Sequence, residues 1–131
     1  MIAPSERSEG LARDLRRIVG ERWVSVSAPD RAAYSRDCWP RAILWTREGL
    51  FPYPPDAVAW PSSVEEVRAI VRYAARAGVP IVPFGAGSGV SAGAVPVRGG
   101  IALDLKRLDR LIRADGERLE CDAKVVALGA E

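Results

Sequence analysis

A chain of 131 residues, 48% hydrophobic and 27% charged, has room for a single core. Its nineteen Lys and Arg against seventeen Asp and Glu leave a net charge of +2 with both signs interspersed, which argues against a basic nucleic-acid stripe and an acidic solvating tail. There is no histidine, so a histidine-bearing triad, an imidazole base and a histidine metal site are all excluded.

Cys38 and Cys121 lack a CxxC spacing and cannot build a zinc site by themselves. No apolar run approaches the roughly 18–20 residues of a membrane span. The opening MIAPSERSEG is polar and lacks the apolar centre of a secretory signal. The chain therefore reads as cytoplasmic, with no transmembrane segment, no nucleic-acid partner, and free thiols favoured over a disulfide.

The first element is an amphipathic helix. Leu11, Leu15, Ile18 and Val19 form one apolar stripe, and Gly20 is its expected stop. Residues 30–61 read as irregular and aromatic-rich. A short helical turn is expected after Pro29, with Asp30 as the cap candidate. Beyond it Trp39, Trp45, Phe51 and Tyr53 alternate with prolines at 40, 52, 54, 55 and 61, which work against a long helix or a central strand.

From Asp56 the signals sharpen. Residues 57–60 are a short strand ending at Pro61. Ser62 and Ser63 precede Glu65 and Glu66 by three residues each, a capping box in either register. Val64, Val67, Ile70, Val71 and Ala74 are the expected buried stripe of the helix that follows, and Gly78 ends it. Residues 79–83 are then expected to form a second, buried strand, and two strands joined by a crossover helix are normally parallel. Residues 101–105 read as a third strand, and Asp115-Gly116 signals a hairpin turn with a returning strand from Leu119 to Val126. Asp104, Asp109 and Asp115 sit at a strand and around turns, where solvated or capping roles are expected.

The informative segment is Pro83-Phe84-Gly85-Ala86-Gly87-Ser88-Gly89-Val90-Ser91-Ala92-Gly93. Between Pro80 and Leu103 the only charge is Arg98. An uncharged loop this rich in glycine suits close approach by something else, and successive amides unshielded by Cβ atoms can converge on an anion. Two familiar phosphate loops do not fit. G-x-x-x-x-G-K-[ST] needs a lysine that is not there. G-x-G-x-x-G is broken by Val90 in the register from Gly85 and by Ala92 in the register from Gly87. The competing reading is a merely strained or flexible turn.

The order of motifs carries more. Pro-Asp-Ala-Val-Ala-Trp-Pro-Ser-Ser-Val-Glu-Glu-Val (55–67), a helix, then Gly-Val-Pro-Ile-Val-Pro-Phe-Gly-Ala-Gly-Ser-Gly (78–89) and Gly-Gly-Ile-Ala-Leu-Asp-Leu (99–105) resemble the FAD-binding domain of the vanillyl-alcohol-oxidase/PCMH superfamily. Within it the likeness is to FAD-linked oxidases such as glycolate oxidase, D-lactate dehydrogenase and alkylglycerone-phosphate synthase, over about residues 30–131. The resemblance implies an α+β, PCMH-like FAD-binding fold: a βαβ unit first, then the start of a mixed or antiparallel sheet, truncated before its end. Residues 1–50 would be a helical or irregular leading segment and 51–131 the incomplete FAD-binding domain.

By the same resemblance, Pro83, Phe84, Gly85, Ala86, Gly87, Ser88 and Gly89 hold the FAD pyrophosphate, with Val90, Ser91 and Gly93 extending the contact and Pro61 near the cofactor. Relatives that tether flavin from a histidine in this loop have a residue this chain lacks, so noncovalent FAD is expected. Tyr34 and Asp37, with Trp39, resemble a Tyr-x-x-Asp pattern near the start of such oxidases and are expected to pack or to face the cap, with substrate contact as the lesser alternative. The implied function is the FAD-anchoring part of an oxidoreductase acting on a hydroxylated small molecule, a 2-hydroxy acid among the options, with catalytic residues outside this segment. The missing remainder of the protein or a partner subunit would complete the enzyme. Two alternatives stand beside it: a nucleotide-binding module or split subunit without catalysis, and an alkylglycerone-phosphate-synthase-like transferase.

Overall fold

The computed structural model describes residues 4–115 and 120–123, with side-chain surroundings through residue 110. The first helix, α1 (Glu6–Val19), starts where the Ser5 hydroxyl accepts the Ser8 amide at 3.2 Å. Glu6 and Glu9 in its first turn and Arg16 and Arg17 in its last complement the helix dipole. Gly20 ends it at φ 89°, its amide donating to the Arg16 carbonyl. Leu11, Leu15 and Val19 are buried as the periodicity predicts.

A 3-10 turn (Glu21–Trp23) leads into β1 (Val24–Ser25). Two short helices follow, α2 (Ala28–Ala33) and α3 (Pro40–Arg47), each opened by a proline in its first turn. The segment expected to be irregular is thus partly helical, because its prolines fall at helix starts rather than interiors. The cap of α2 is Ser27, whose hydroxyl accepts the Asp30 amide at 3.3 Å; Asp30, expected as the cap, instead accepts that hydroxyl's proton.

The main sheet runs β1-β2-β4-β3, with β2 (Ala57–Ala59), β3 (Ile81–Phe84) and β4 (Ile101–Asp104). β1 is antiparallel to β2, while β2 and β3 both lie parallel to β4. Strand alternation divides the central residues between two faces. Ala57, Ala59, Ile101 and Leu103 join Leu11, Leu15, Ile70 and Ala74 in the core under α1 and α4 (Val64–Ala77). Val58, Ala102 and Asp104 face the other side, where α2 packs against β2. With both faces covered, β2 and β4 are buried at every residue.

Helix α4 begins at Ser63, which accepts the Glu66 amide at 3.1 Å, while Glu66 reaches back to the Ser62 amide at 2.6 Å. It ends on Gly78 in the left-handed region. Its buried stripe is narrower than expected. Ile70 and Ala74 are buried and Val67 packs beside them, but Val64 and Val71 are exposed. Tyr73 takes the place assigned to Val71: it packs on the core and donates its hydroxyl to Asp14 of α1 at 3.0 Å.

Beyond β4, β5 (Leu111–Asp115) and β6 (Glu120–Ala123) pair antiparallel as a separate two-stranded sheet, as the hairpin signal predicts. The expected turn at Gly116, the far end of the returning strand, and the side chains of Asp115 and Cys121 lie outside the described residues. No helix among the described residues is long and apolar enough to cross a membrane.

Candidate functional site

Because β2, β3 and β4 are parallel, Trp60, Gly85 and Leu105 leave the sheet at one end. Ligands of parallel α/β sheets bind at this carboxyl end. The glycine-rich loop leaves β3 there and returns to β4 through Gly99 and Gly100. Ala86, Ser88, Gly89, Val90, Ser91 and Gly93 are exposed or half-buried, whereas Phe84 is buried. Among the described residues, the amides of Ala86 to Ser91 donate no hydrogen bond to the protein. A row of free N–H groups on accessible backbone is what an oxyanion requires.

Local packing fixes the loop. Gly87 has φ 69° and lies on the Phe84 ring; a Cβ at this position would sit 2.7 Å from that ring. The Gly89 carbonyl accepts the Cys38 amide at 2.8 Å, which ties the segment between α2 and α3 to the loop. A Cβ on Gly89 would lie 3.3 Å from Asp37 Oδ2. Asp37 is 2% exposed; its Oδ1 accepts the Trp39 amide at 3.0 Å, and its Oδ2 has no donor among the described residues.

Under the start of the loop lies a charged network. Asp104, with no exposed surface, accepts the Tyr34 hydroxyl and the Lys106 ammonium on Oδ2 and the Lys106 amide on Oδ1 at 2.8 Å. The Trp60 indole donates to the Tyr34 oxygen at 2.9 Å. Burial pushes the Tyr34 phenol far above its usual range; donation to Asp104 adds to this, and the Trp60 bond opposes it. Tyr34 therefore remains a neutral donor. Lys106 Nζ also reaches the Gly85 carbonyl at 3.3 Å and stands 5.0 Å from the Phe84 ring centre. Arg107 is occupied elsewhere, donating to the Trp60 carbonyl at 2.6 Å and lying 3.5 Å over the Trp23 ring.

Of the residues predicted from sequence, Gly85 through Ser91 and Gly93 are exposed or half-buried past the end of β3, whereas Phe84 is buried with its ring under Gly87, so it supports the loop from below. Pro61, expected near the cofactor, is fully buried just past the end of β2. Asp104 does cap an amide as expected; it is not solvated, because its register with Ala102 turns it toward α2. Lys106 and Trp60 escaped the sequence reading. A carboxylate closing an otherwise apolar buried strand, with a lysine two residues on, was the available signal.

Comparison with known proteins gives this geometry its context. The family model described as "FAD binding domain" matches residues 55–127. The chain belongs to the FAD-binding domain family.

It is 43% identical over 87 residues to D-2-hydroxyglutarate dehydrogenase of Xanthomonas citri pv. viticola, covering 66% of this chain and 16% of that protein. To the probable mitochondrial D-lactate dehydrogenase of Danio rerio it is 31% identical over 104 residues, covering 79% and 19%. A solved structure of alkyldihydroxyacetonephosphate synthase superposes with a TM-score of 0.79 at 24% identity, over 89% of this chain and 24% of that one, a likeness of fold. The chain spans about a fifth of the length of the curated relatives it matches. The loop also suits the FAD family on its own geometry. Among the described residues the amides of Ala86 to Ser91 are unpaired, the loop sequence itself carries no carboxylate, and Gly87 brings backbone where a side chain would collide with Phe84.

Proposed function

We propose that this chain anchors FAD noncovalently, holding the pyrophosphate on the backbone of Pro83 to Ser91 and Gly93 at the carboxyl end of the parallel strands. The observation that carries the reading is the run of amides from Ala86 to Ser91 that donate to no protein acceptor among the described residues. Bound flavin supplies the electron-accepting chemistry, and the protein supplies position and electrostatics. The 2-hydroxy acids in the names of the relatives support a flavin-dependent oxidoreductase of hydroxylated small molecules. In this reading residues 51–131 carry the cofactor contacts, and residues 1–50 brace them through α1 and the Tyr34–Trp39 segment. Catalytic residues would come from sequence beyond this segment or from a partner subunit.

The test is an FAD titration followed by flavin absorbance and fluorescence. Ser88→Asp places a like charge on the exposed loop without crowding its base. A unit charge near a phosphate at a protein surface interacts by up to ~4 kcal/mol, so even after salt screening the Kd should rise at least about tenfold. Gly87→Asp adds collision with Phe84 to the same repulsion and should bind more weakly still. Unchanged affinity in Ser88→Asp would remove the loop from the binding site.

A further inference from the structure

We propose that Lys106 is the cationic contact for the cofactor's pyrophosphate, the side-chain charge that complements the uncharged loop. This inference rests on the FAD reading above. From Pro80 to Leu103 the sequence offers only Arg98 as a charge, so backbone amides alone would face a doubly charged group. Among the described residues, the only cationic side chain hydrogen-bonded to the loop between Gly85 and Gly93 is Lys106, on the Gly85 carbonyl at 3.3 Å. Its side chain is 45% exposed, while its partner Asp104 is wholly buried. The pair is thus a dipole standing on end: the carboxylate is held inside by Tyr34 and the Lys106 amide, and the ammonium is held outside at the lip of the loop.

The arrangement fixes the ammonium without using it up. Three donors serve the Asp104 carboxylate, the Gly85 carbonyl and one further acceptor; the Tyr34 oxygen at 3.5 Å is a long third partner that a phosphate oxygen would displace. The Phe84 and Tyr34 rings, 5.0 and 5.2 Å from Nζ, hold the head by their faces and limit its swing. A lysine so placed acts as a point charge and needs no bidentate geometry.

The experiment compares FAD with riboflavin, which has the same ring system and no phosphate. Lys106→Met should raise the Kd for FAD about tenfold or more, flatten its salt dependence, and leave riboflavin binding unchanged; Lys106→Arg should stay within a few-fold of the parent protein. Since Lys106→Met strands a buried carboxylate, the double variant Asp104→Asn/Lys106→Met removes both charges and should show the same loss of FAD affinity in a folded protein. An unchanged FAD affinity in the folded double variant overturns the proposal, as does an equal loss for riboflavin, which would mean that Lys106 only shapes the loop. Failure of the parent chain to bind FAD would fail the cofactor reading. Inorganic pyrophosphate then tests Lys106 by itself, and equal binding by parent and variant, or by neither, overturns it.

Discussion

At the scale of single residues, glycines of one loop differ in what they permit. Gly87 combines a left-handed φ of 69° with a ring 2.7 Å from any added Cβ, whereas Gly93 has an ordinary φ and nothing within 4 Å. Gly87→Ala should therefore cost about 2–5 kcal/mol, the sum of left-handed strain and overpacking. Gly93→Ala should stay within about 0.5 kcal/mol. Urea unfolding of the two variants measures the difference; equal losses would show that the loop relaxes around Gly87. Tyr34 supports a second prediction. Its phenol titrates higher in the folded protein than the ordinary value of 10.0, so the unfolded chain loses this proton first. Its stabilising contribution is complete below pH 10 and declines as pH rises above it. As pH rises above 10.0 the parent protein should lose stability more steeply than Tyr34→Phe, which has no phenolic proton to lose. Parallel curves would remove Tyr34 from the linkage. The loop is legible in the sequence as a unit, but which glycine is irreplaceable depends on where the Phe84 ring lies. That is a tertiary fact with no local signature.

At the scale of elements, the helix ends were the most legible feature because their chemistry is local. Ser63 with Glu66, and Gly78 at the exit, are hydrogen-bond and backbone requirements satisfied within a few residues. Ser63→Ala should accordingly destabilise by about 1 kcal/mol, read as a shift in the urea midpoint at constant slope; no shift would mean that Ser62 takes over the cap. The helix face was less legible. Apolar periodicity marks every valine near the stripe, but contact with α1 selects only part of it. Tyr73 claims the boundary by bonding Asp14, and this leaves Val71 in water. Ile70→Ala should then cost about 2–5 kcal/mol, while Val71→Gln stays within about 0.5 kcal/mol. Comparable losses at both positions would restore the wider stripe. The failed expectation at α2 has the same origin. Ser27 and Asp30 both suit a helix start, and only the position of Pro29 inside the first turn decides between them.

At the scale of the whole molecule, the decisive arrangement is the strand order. β2 and β3 are joined by α4 yet do not pair, because β4 from later in the chain inserts between them. No local pattern encodes that insertion, although it sets Asp104 and Lys106 between the ends of β2 and β3 and gives the glycine loop its charged support. A site assembled from three strand ends, a loop and the α2–α3 segment should respond to its ligand as one body. Anything that binds only the folded state stabilises it by about 2.7 kcal/mol at a hundredfold excess over Kd. For a domain of this size each kcal/mol moves the melting temperature by roughly 3–6 °C. Saturating FAD should therefore raise the Tm by on the order of 10 °C, with a logarithmic rise beyond saturation. Riboflavin at equal concentration should give a smaller shift, because it offers nothing to the amides of Ala86 to Ser91. Equal shifts from the two ligands would place the binding energy on the flavin ring and away from the loop, and the phosphate-centred account of this end of the sheet would fall with it.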